Sequence, residues 1–158
     1  MKLAYKKITT PVGVLKLVAN PNALVAILWG NETRVKLPTM SQASDHRILQ
    51  KTEKQLFEYF AGKRSSFELK MEPVGTEFQK KVWSRLRKIP FGKTISYKEL
   101  AQAIGSPKAA RAAGSATGKN PISIVVPCHR VIGANGNLIG FAGGLKAKTI
   151  LLELEKRR

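Results

Sequence analysis

The chain has 158 residues, with 28 Lys plus Arg against 10 Asp plus Glu and a formal net charge of +18. A hydrophobic fraction of 43% is enough to build a core, which excludes a wholly disordered basic tail. No apolar run approaches the ~20 residues that cross a bilayer, residues 1–10 lack a signal-peptide pattern, and one cysteine makes neither an internal disulfide nor a multi-cysteine zinc site. The expectation is a soluble, cytoplasmic protein with a single thiol.

The first thirty residues alternate and turn like a β-meander. Strands are expected at Lys2–Thr9, Val14–Ala19 and Leu24–Trp29, separated by turns at Thr10-Pro11-Val12-Gly13 and Asn20-Pro21-Asn22. Residues 30–45 are polar and irregular. From Arg47 the period becomes helical, with Ile48, Thr52, Leu56, Tyr59 and Phe60 on one face and Gly62 as the stop. His46 has no polar cluster around it and reads as a surface residue. Ser65 to Pro73 reads as a short strand and linker.

A domain boundary is expected near Gly75, giving residues 1–74 and 75–158. Thr76-Glu77-Phe78-Gln79 is a capping box, and Phe78, Val82, Leu86 and Ile89 are the apolar stripe of the helix it opens. Lys80, Lys81, Arg85 and Lys88 lie largely elsewhere on that helix. Ser96-Tyr97-Lys98-Glu99 is a second capping box, with its helix ending at Gly105. Ser106 is the expected cap of a further helix, with Pro107 at its first position. Two helices joined by a glycine-containing turn make a helix-turn-helix, and an ordinary helical hairpin fits the pattern equally well. The second helix is nearly all small: Ala109, Ala110, Ala112, Ala113, Gly114, Ser115 and Ala116, with Arg111 among them. Such a helix can approach another backbone closely, with Arg111 and Lys108 as its long probes.

Ile122 to Val126 is an apolar, largely β-branched run, as expected of a strand buried on both faces, and Pro127 closes it. Cys128, His129 and Arg130 follow at once. A lone buried cysteine is usually an inert small hydrophobe. Here an adjacent histidine, an arginine and basic surroundings favour a thiolate. A histidine that activates a nucleophile needs a third group to orient it, and Glu153 or Glu155 of an expected helix Ala147–Lys156 can supply one. Gly133-Ala134-Asn135-Gly136 reads as a turn. In Gly140-Phe141-Ala142-Gly143-Gly144 the glycines admit a ligand to the main chain, and Phe141 offers a flat wall for a planar substrate.

Charge is uneven. Residues 1–75 hold 12 basic and 6 acidic side chains, net +6; residues 76–158 hold 16 and 4, net +12. Lys and Arg release counterions from phosphates, so a polyanionic partner for the second half is favoured over a merely solvated lysine surface.

Together these segments resemble the O6-alkylguanine-DNA alkyltransferases. The resemblance rests on Gly-Thr-Glu-Phe-Gln at 75–79, Ile-Pro-Phe-Gly-Lys-Thr-Ile-Ser-Tyr at 89–97, and Pro-Lys-Ala-Ala-Arg-Ala at 107–112. It continues through Gly118 to Pro121, Pro-Cys-His-Arg-Val at 127–131 and Gly-Gly-Leu at 143–145. The implied fold is α/β (α+β): a small N-terminal α/β domain with a three-stranded antiparallel sheet, then a mainly helical domain containing the helix-turn-helix. The implied activity is a suicide transfer of the alkyl group from O6-alkylguanine, and from O4-alkylthymine, to Cys128, with no cofactor and no metal.

The resemblance also implies residue roles. His129 acts through a water as base, oriented by Glu155; Asn120 braces the site; Tyr97 assists guanine's departure and turns the nucleotide's phosphate. Arg111 fills the space left by the flipped base, and Lys98, Ser106 and Lys108 contact the DNA. Phe141, Ala142 and Gly143 line the pocket. Many relatives have a tyrosine where Phe141 stands, and some have a serine where Ala142 and Ala134 stand. The implied partner is double-stranded DNA carrying alkylated guanine, bound by a monomer. A non-enzymatic lesion sensor of the same architecture lacks the cysteine, and a transcription regulator leaves residues 127–131 without a purpose. A cysteine hydrolase turns over instead of stopping.

Overall fold

The N-terminal strands form where alternation places them: β1 (Leu3–Thr10), β2 (Gly13–Ala19) and β3 (Leu24–Trp29). The computed structural model describes residues 2–30, 37, 40–43, 45–133, 136 and 141–156. The chain divides into two compact units, Met1–Val74 and Gly75–Arg158.

In the first unit, β1 and β2 are antiparallel around a tight turn closed at Gly13, whose φ of 103° suits glycine. Thr10 Oγ1 accepts from Val12 N–H and donates to the Gly13 carbonyl, which fixes that turn. Asn20 turns β2 into β3, with its Oδ1 accepting the N–H groups of Asn22 and Ala23, both at 2.7 Å. A fourth strand, β4 (Met40–Gln42), pairs parallel to β1, so the sheet order is β3-β2-β1-β4 and not the expected three strands. Its three residues carry no alternation of their own, and backbone pairing alone makes them a strand.

Helix α1 (Arg47–Phe60) packs on one face of this sheet and buries Leu49, Thr52, Gln55, Leu56 and Tyr59. Leu49 takes the place expected for Ile48. The face is otherwise the one periodicity selects. His46 is not a bystander, because its Nδ1 accepts the Ile48 N–H and caps the helix. The other face of the sheet holds a second cluster of Leu3, Val18, Val25, Ala26 and Leu28. With both faces covered, β3 is buried along its whole length. Ser65 to Pro73 forms no strand. Met71 makes one isolated bridge to Leu24, and the Gln55 amide pins Glu68 through both main-chain groups.

The second unit opens with α2 (Glu77–Leu86), whose capping box between Thr76 and Gln79 forms as expected. Its buried residues are Val82, Trp83 and Leu86, while Phe78 is exposed. Trp83 displaces Phe78 from the core because its Nε1–H reaches the Ala116 carbonyl at 2.7 Å. A side chain at Gly75 would overlap the Trp83 ring, with a Cβ only 2.4 Å from it. Next come β5 (Ile95–Ser96), α3 (Tyr97–Ala103) and α4 (Ala110–Gly118). Helix α4 starts later than expected. Pro107 and Lys108 form a separate turn closed by the Ala109 N–H on the Ser106 carbonyl, so Ser106 is not its cap and Ala109 is.

The buried run Ile122–Val126 is a turn, not a strand. Ser123 and Val126 make a single bridge, and Ile124 sits at a φ of 75°. A β-branched residue in that region costs roughly 1–2 kcal/mol. After it come a 3-10 turn (Cys128–Arg130), β6 (Val131–Ile132), and α5 (Leu145–Lys156). Ala134, Asn135 and Gly140 lie outside the described residues.

Candidate active site

Cys128 opens the 3-10 turn and is buried, with 6% of its surface exposed. Two braces hold it. The first is Asn120, whose Nδ2 donates to the Val126 carbonyl at 2.8 Å while its Oδ1 accepts the Ile122 N–H at 3.0 Å. Asn120 thereby spans the strained turn at Ile124. The second is the parallel pairing of β5 with β6, in register Ile95 to Val131 and Ser96 to Ile132. That ladder fastens the start of α3 beside the thiol segment. Tyr97, the residue after the Ser96 cap, comes into electrostatic range of Cys128 in this way.

His129 is fully buried, and its Nε2 lies 2.7 Å from Glu155 Oε2. Glu155, on α5, is the partner; Glu153 is exposed and, among the described residues, pairs with Lys156 at 3.9 Å. The carboxylate also accepts from Arg130 Nε at 2.9 Å, Arg130 Nη2 at 3.0 Å and the Gly92 N–H at 3.3 Å. Arg130 Nη1 donates to the Ile89 carbonyl at 2.7 Å, and its guanidinium lies 5.7 Å from the Phe91 ring centre. Contrary to the sequence reading, this arginine serves the glutamate, not the thiol.

Electrostatics fix the proton positions. Burial pushes the His129 pKa below its ordinary 6.5, outweighing the upward pull of Glu155, and Arg130 and Lys148 push it down further. The ring is therefore neutral at pH 7. An ionised carboxylate only accepts, so the one proton sits on Nε2 and Nδ1 carries a lone pair. That Nδ1 is buried and has no hydrogen-bond partner among the described residues. It is a basic atom poised next to the thiol residue. Tyr97's hydroxyl is held above its usual 10.0 by burial first and by the Cys128 charge second, so it stays a donor.

Lys148 is a participant that sequence reasoning missed. It is completely buried on α5, and its ammonium donates to the Val131 carbonyl at 2.7 Å. Burial lowers its pKa, and the charge of Cys128 opposes that shift. A readable signal existed. Ala147, Lys148, Leu151 and Glu155 form the buried stripe of α5, and a lysine and a glutamate seven residues apart on an apolar face require partners.

The remaining expected residues lie elsewhere. Lys98, Lys108 and Arg111 are exposed on α3, the intervening turn and α4, with Ser106 half-buried between the helices. The α4 face that carries Arg111 is lined by small residues, and the Gly114 Cα side packs on the Tyr97 ring. Phe141, Ala142 and Gly143 belong to a turn closed by the Gly144 N–H on the Phe141 carbonyl. No helix among the described residues is long and apolar enough to cross a membrane.

Two helices joined by a short turn, a buried thiol and a carboxylate-oriented histidine thus share the second unit. Residues 77–157 match the family model of the 6-O-methylguanine DNA methyltransferase DNA binding domain, and residues 3–73 match that of its ribonuclease-like domain. The chain belongs to the methylated-DNA--protein-cysteine methyltransferase family. It is 44% identical to the protein of that name from Methanosarcina acetivorans, over 96% of this chain and 97% of that one. It is also 44% identical to the Mycobacterium tuberculosis protein, over 98% and 93%. The crystal structure of Mycobacterium tuberculosis OGT in complex with DNA superposes with a TM-score of 0.90 at 43% identity, covering 98% of this chain and 93% of that chain.

Proposed function

We propose that this protein repairs O6-alkylguanine, and O4-alkylthymine, in duplex DNA by taking the alkyl group onto Cys128 once per molecule. The observation that carries the reading is the 2.7 Å contact of buried His129 Nε2 with Glu155, which leaves Nδ1, on the residue next to Cys128, without a hydrogen-bond partner among the described residues. Nδ1 accepts the Cys128 proton through a bridging water. The thiolate attacks the alkyl carbon, an S–C bond forms as the C–O6 bond breaks, and the electron pair passes to the guanine ring. The ring takes up one proton in exchange for the one that left sulfur. Tyr97, kept protonated, donates toward the departing base, and preorganised donors of this kind are a large catalytic term. The buried Lys148 ammonium adds positive charge where the thiolate forms.

The target carbon is out of reach in a stacked base, so the nucleotide has to be extruded. The small-residue face of α4 allows the groove approach, Arg111 fills the vacated stack, and Lys98, Ser106 and Lys108 hold phosphates. Phe141, Ala142 and Gly143 form a pocket wall without the hydroxyls that a tyrosine or serine would add. The thioether product has no hydrolysable bond, which makes the reaction stoichiometric for a monomer. Incubation with O6-methylguanine duplex, followed by peptide mass spectrometry, tests it. One methyl group on the Cys128 peptide is expected; an unmodified peptide, or turnover beyond one equivalent, overturns it.

A further inference from the structure

Helix α2 has an outer face that the alkyl-transfer site does not use. Lys80, Lys81, Arg85, Arg87 and Lys88 occupy this helix and its C-terminal end, and Glu77 at the first turn is its one acid. At 3.6 residues per turn Lys80, Lys81 and Arg85 fall within an arc of about 140°, opposite Val82, Trp83 and Leu86, and Arg87 and Lys88 follow in the turn that ends the helix. Their side chains make no hydrogen bond or ion pair with any described residue. Lys81 and Arg85 stand about one turn apart, roughly 6 Å along the axis, and Lys88 follows in the closing turn. Five like charges on one short helix and the turn that ends it repel each other and call for an anionic counterpart.

The orientation of this face excludes the duplex that α4 would read. α2 packs on α3 and α4 through its apolar side, with Trp83 bonded to the Ala116 carbonyl. α4 in turn buries Ala113, Ala116 and Thr117 against its neighbours and exposes Arg111, Ala112, Ser115 and Lys119. The exposed sides of α2 and α4 therefore point away from each other across a helix pair. A straight duplex seated on the Arg111 side leaves the α2 cations facing outward.

We propose that the outer face of α2 is a second, sequence-independent phosphate-backbone contact, which holds a second duplex DNA segment while the helix-turn-helix holds the first. The proposal rests on the assignment of α4 as the DNA-reading helix. Each Lys or Arg on this face neutralises phosphate and releases counterions, and no base contact is required.

The test loads the full chain onto a bead-bound 20-bp duplex and measures capture of a second, fluorescent duplex across a salt series. Wild-type protein is expected to capture it. The K81Q/R85Q/K88Q variant is expected to load on the first duplex and lose capture of the second by at least tenfold. The log–log salt slope of capture should fall by about 2.7, at ~0.9 per phosphate contact. The K51Q/K54Q/K63Q variant, with the same charge change on the first unit, should capture like wild type. Undiminished capture by the α2 variant, equal loss in the control, or no capture by wild type overturns the proposal. Failure of wild type to load on the first duplex overturns the assignment of α4 and this proposal with it. Transfer from free O6-benzylguanine to Cys128 is read in parallel. Its retention shows that the α2 variant is folded, and its absence from wild type strikes the proposed function instead.

Discussion

His129 Nε2 and Glu155 Oε2 lie 2.7 Å apart in a fully buried site where the same carboxylate takes two further bonds from Arg130. One anion thus sets the tautomer of the histidine and neutralises an arginine that is itself buried. Removing the charge leaves Arg130 uncompensated, and breaking such a pair costs roughly 3–5 kcal/mol. Glu155→Gln should lower the melting temperature by several degrees and slow transfer from free O6-benzylguanine. Glu153→Gln, at an exposed site, should do neither. Equal behaviour of the two variants would show that the carboxylate has no part in orienting the ring.

The His129 shift has a sign that acidification can read. The folded pKa lies below the ordinary 6.5, so the unfolded chain binds the proton more tightly than the native one does. The stability linked to this group is therefore fully present above about pH 6.5 and is lost as pH falls toward the folded value. In the proposed mechanism, transfer depends on the same neutral ring. Its rate should be flat from pH 7 to 8 and drop in the acid range only after the melting temperature has begun to fall. A rate that falls already between pH 8 and 7 would place the functional ionisation elsewhere.

Asn120 makes two hydrogen bonds that cross the turn before the thiol, and both partners are buried main-chain groups. Asn120→Ala leaves the Ile122 N–H unpaired, at about 1–3 kcal/mol, reduces the Val126 carbonyl to its bond from the Cys128 N–H, and frees the turn that holds Ile124 at positive φ. The expected outcome is a loss of roughly 2–4 kcal/mol in chemical denaturation, together with a slower reaction of Cys128. A destabilised variant whose Cys128 reacts at the native rate would confine Asn120 to folding.

The periodic parts of this molecule were readable because the residues in them decide their own conformation. Both capping boxes, the boundaries of α1 and the three long strands follow from side-chain spacing and turn residues alone. What escaped was set by contacts distant in sequence. β4 is a strand only because β1 offers it an edge. Ile122–Val126 has the composition of a strand but is bent by Asn120 and the braces around it. Phe78 lost its core position to Trp83, whose partner Ala116 is 33 residues away. At the site, Cys128 and His129 stand out in the sequence. In the sequence the choice of Glu155 over Glu153 rests on the resemblance; in the structure it rests on α5, which buries Glu155 and exposes Glu153. Lys148 was passed over because a lysine ordinarily reads as surface.

Lys148 provides the sharpest test of how the thiol is made reactive. Its ammonium is buried, bonded to the Val131 carbonyl, and coupled to the Cys128 charge. Lys148→Met keeps much of the side chain's length and apolar volume but removes the cation, so a thiolate at Cys128 loses a stabilising charge in a poorly solvated place. Transfer from free O6-benzylguanine should fall about tenfold or more at pH 7, as expected for roughly 1.4 kcal/mol of lost stabilisation. It should recover as the pH is raised toward 9, where a thiol ionises unaided. The melting temperature should change little, because the desolvation cost of the ammonium disappears with the charge. Lys148→Arg retains charge without the compact geometry and should fall between the two. A Met variant with an unchanged rate at pH 7 would assign Lys148 to holding β6 alone.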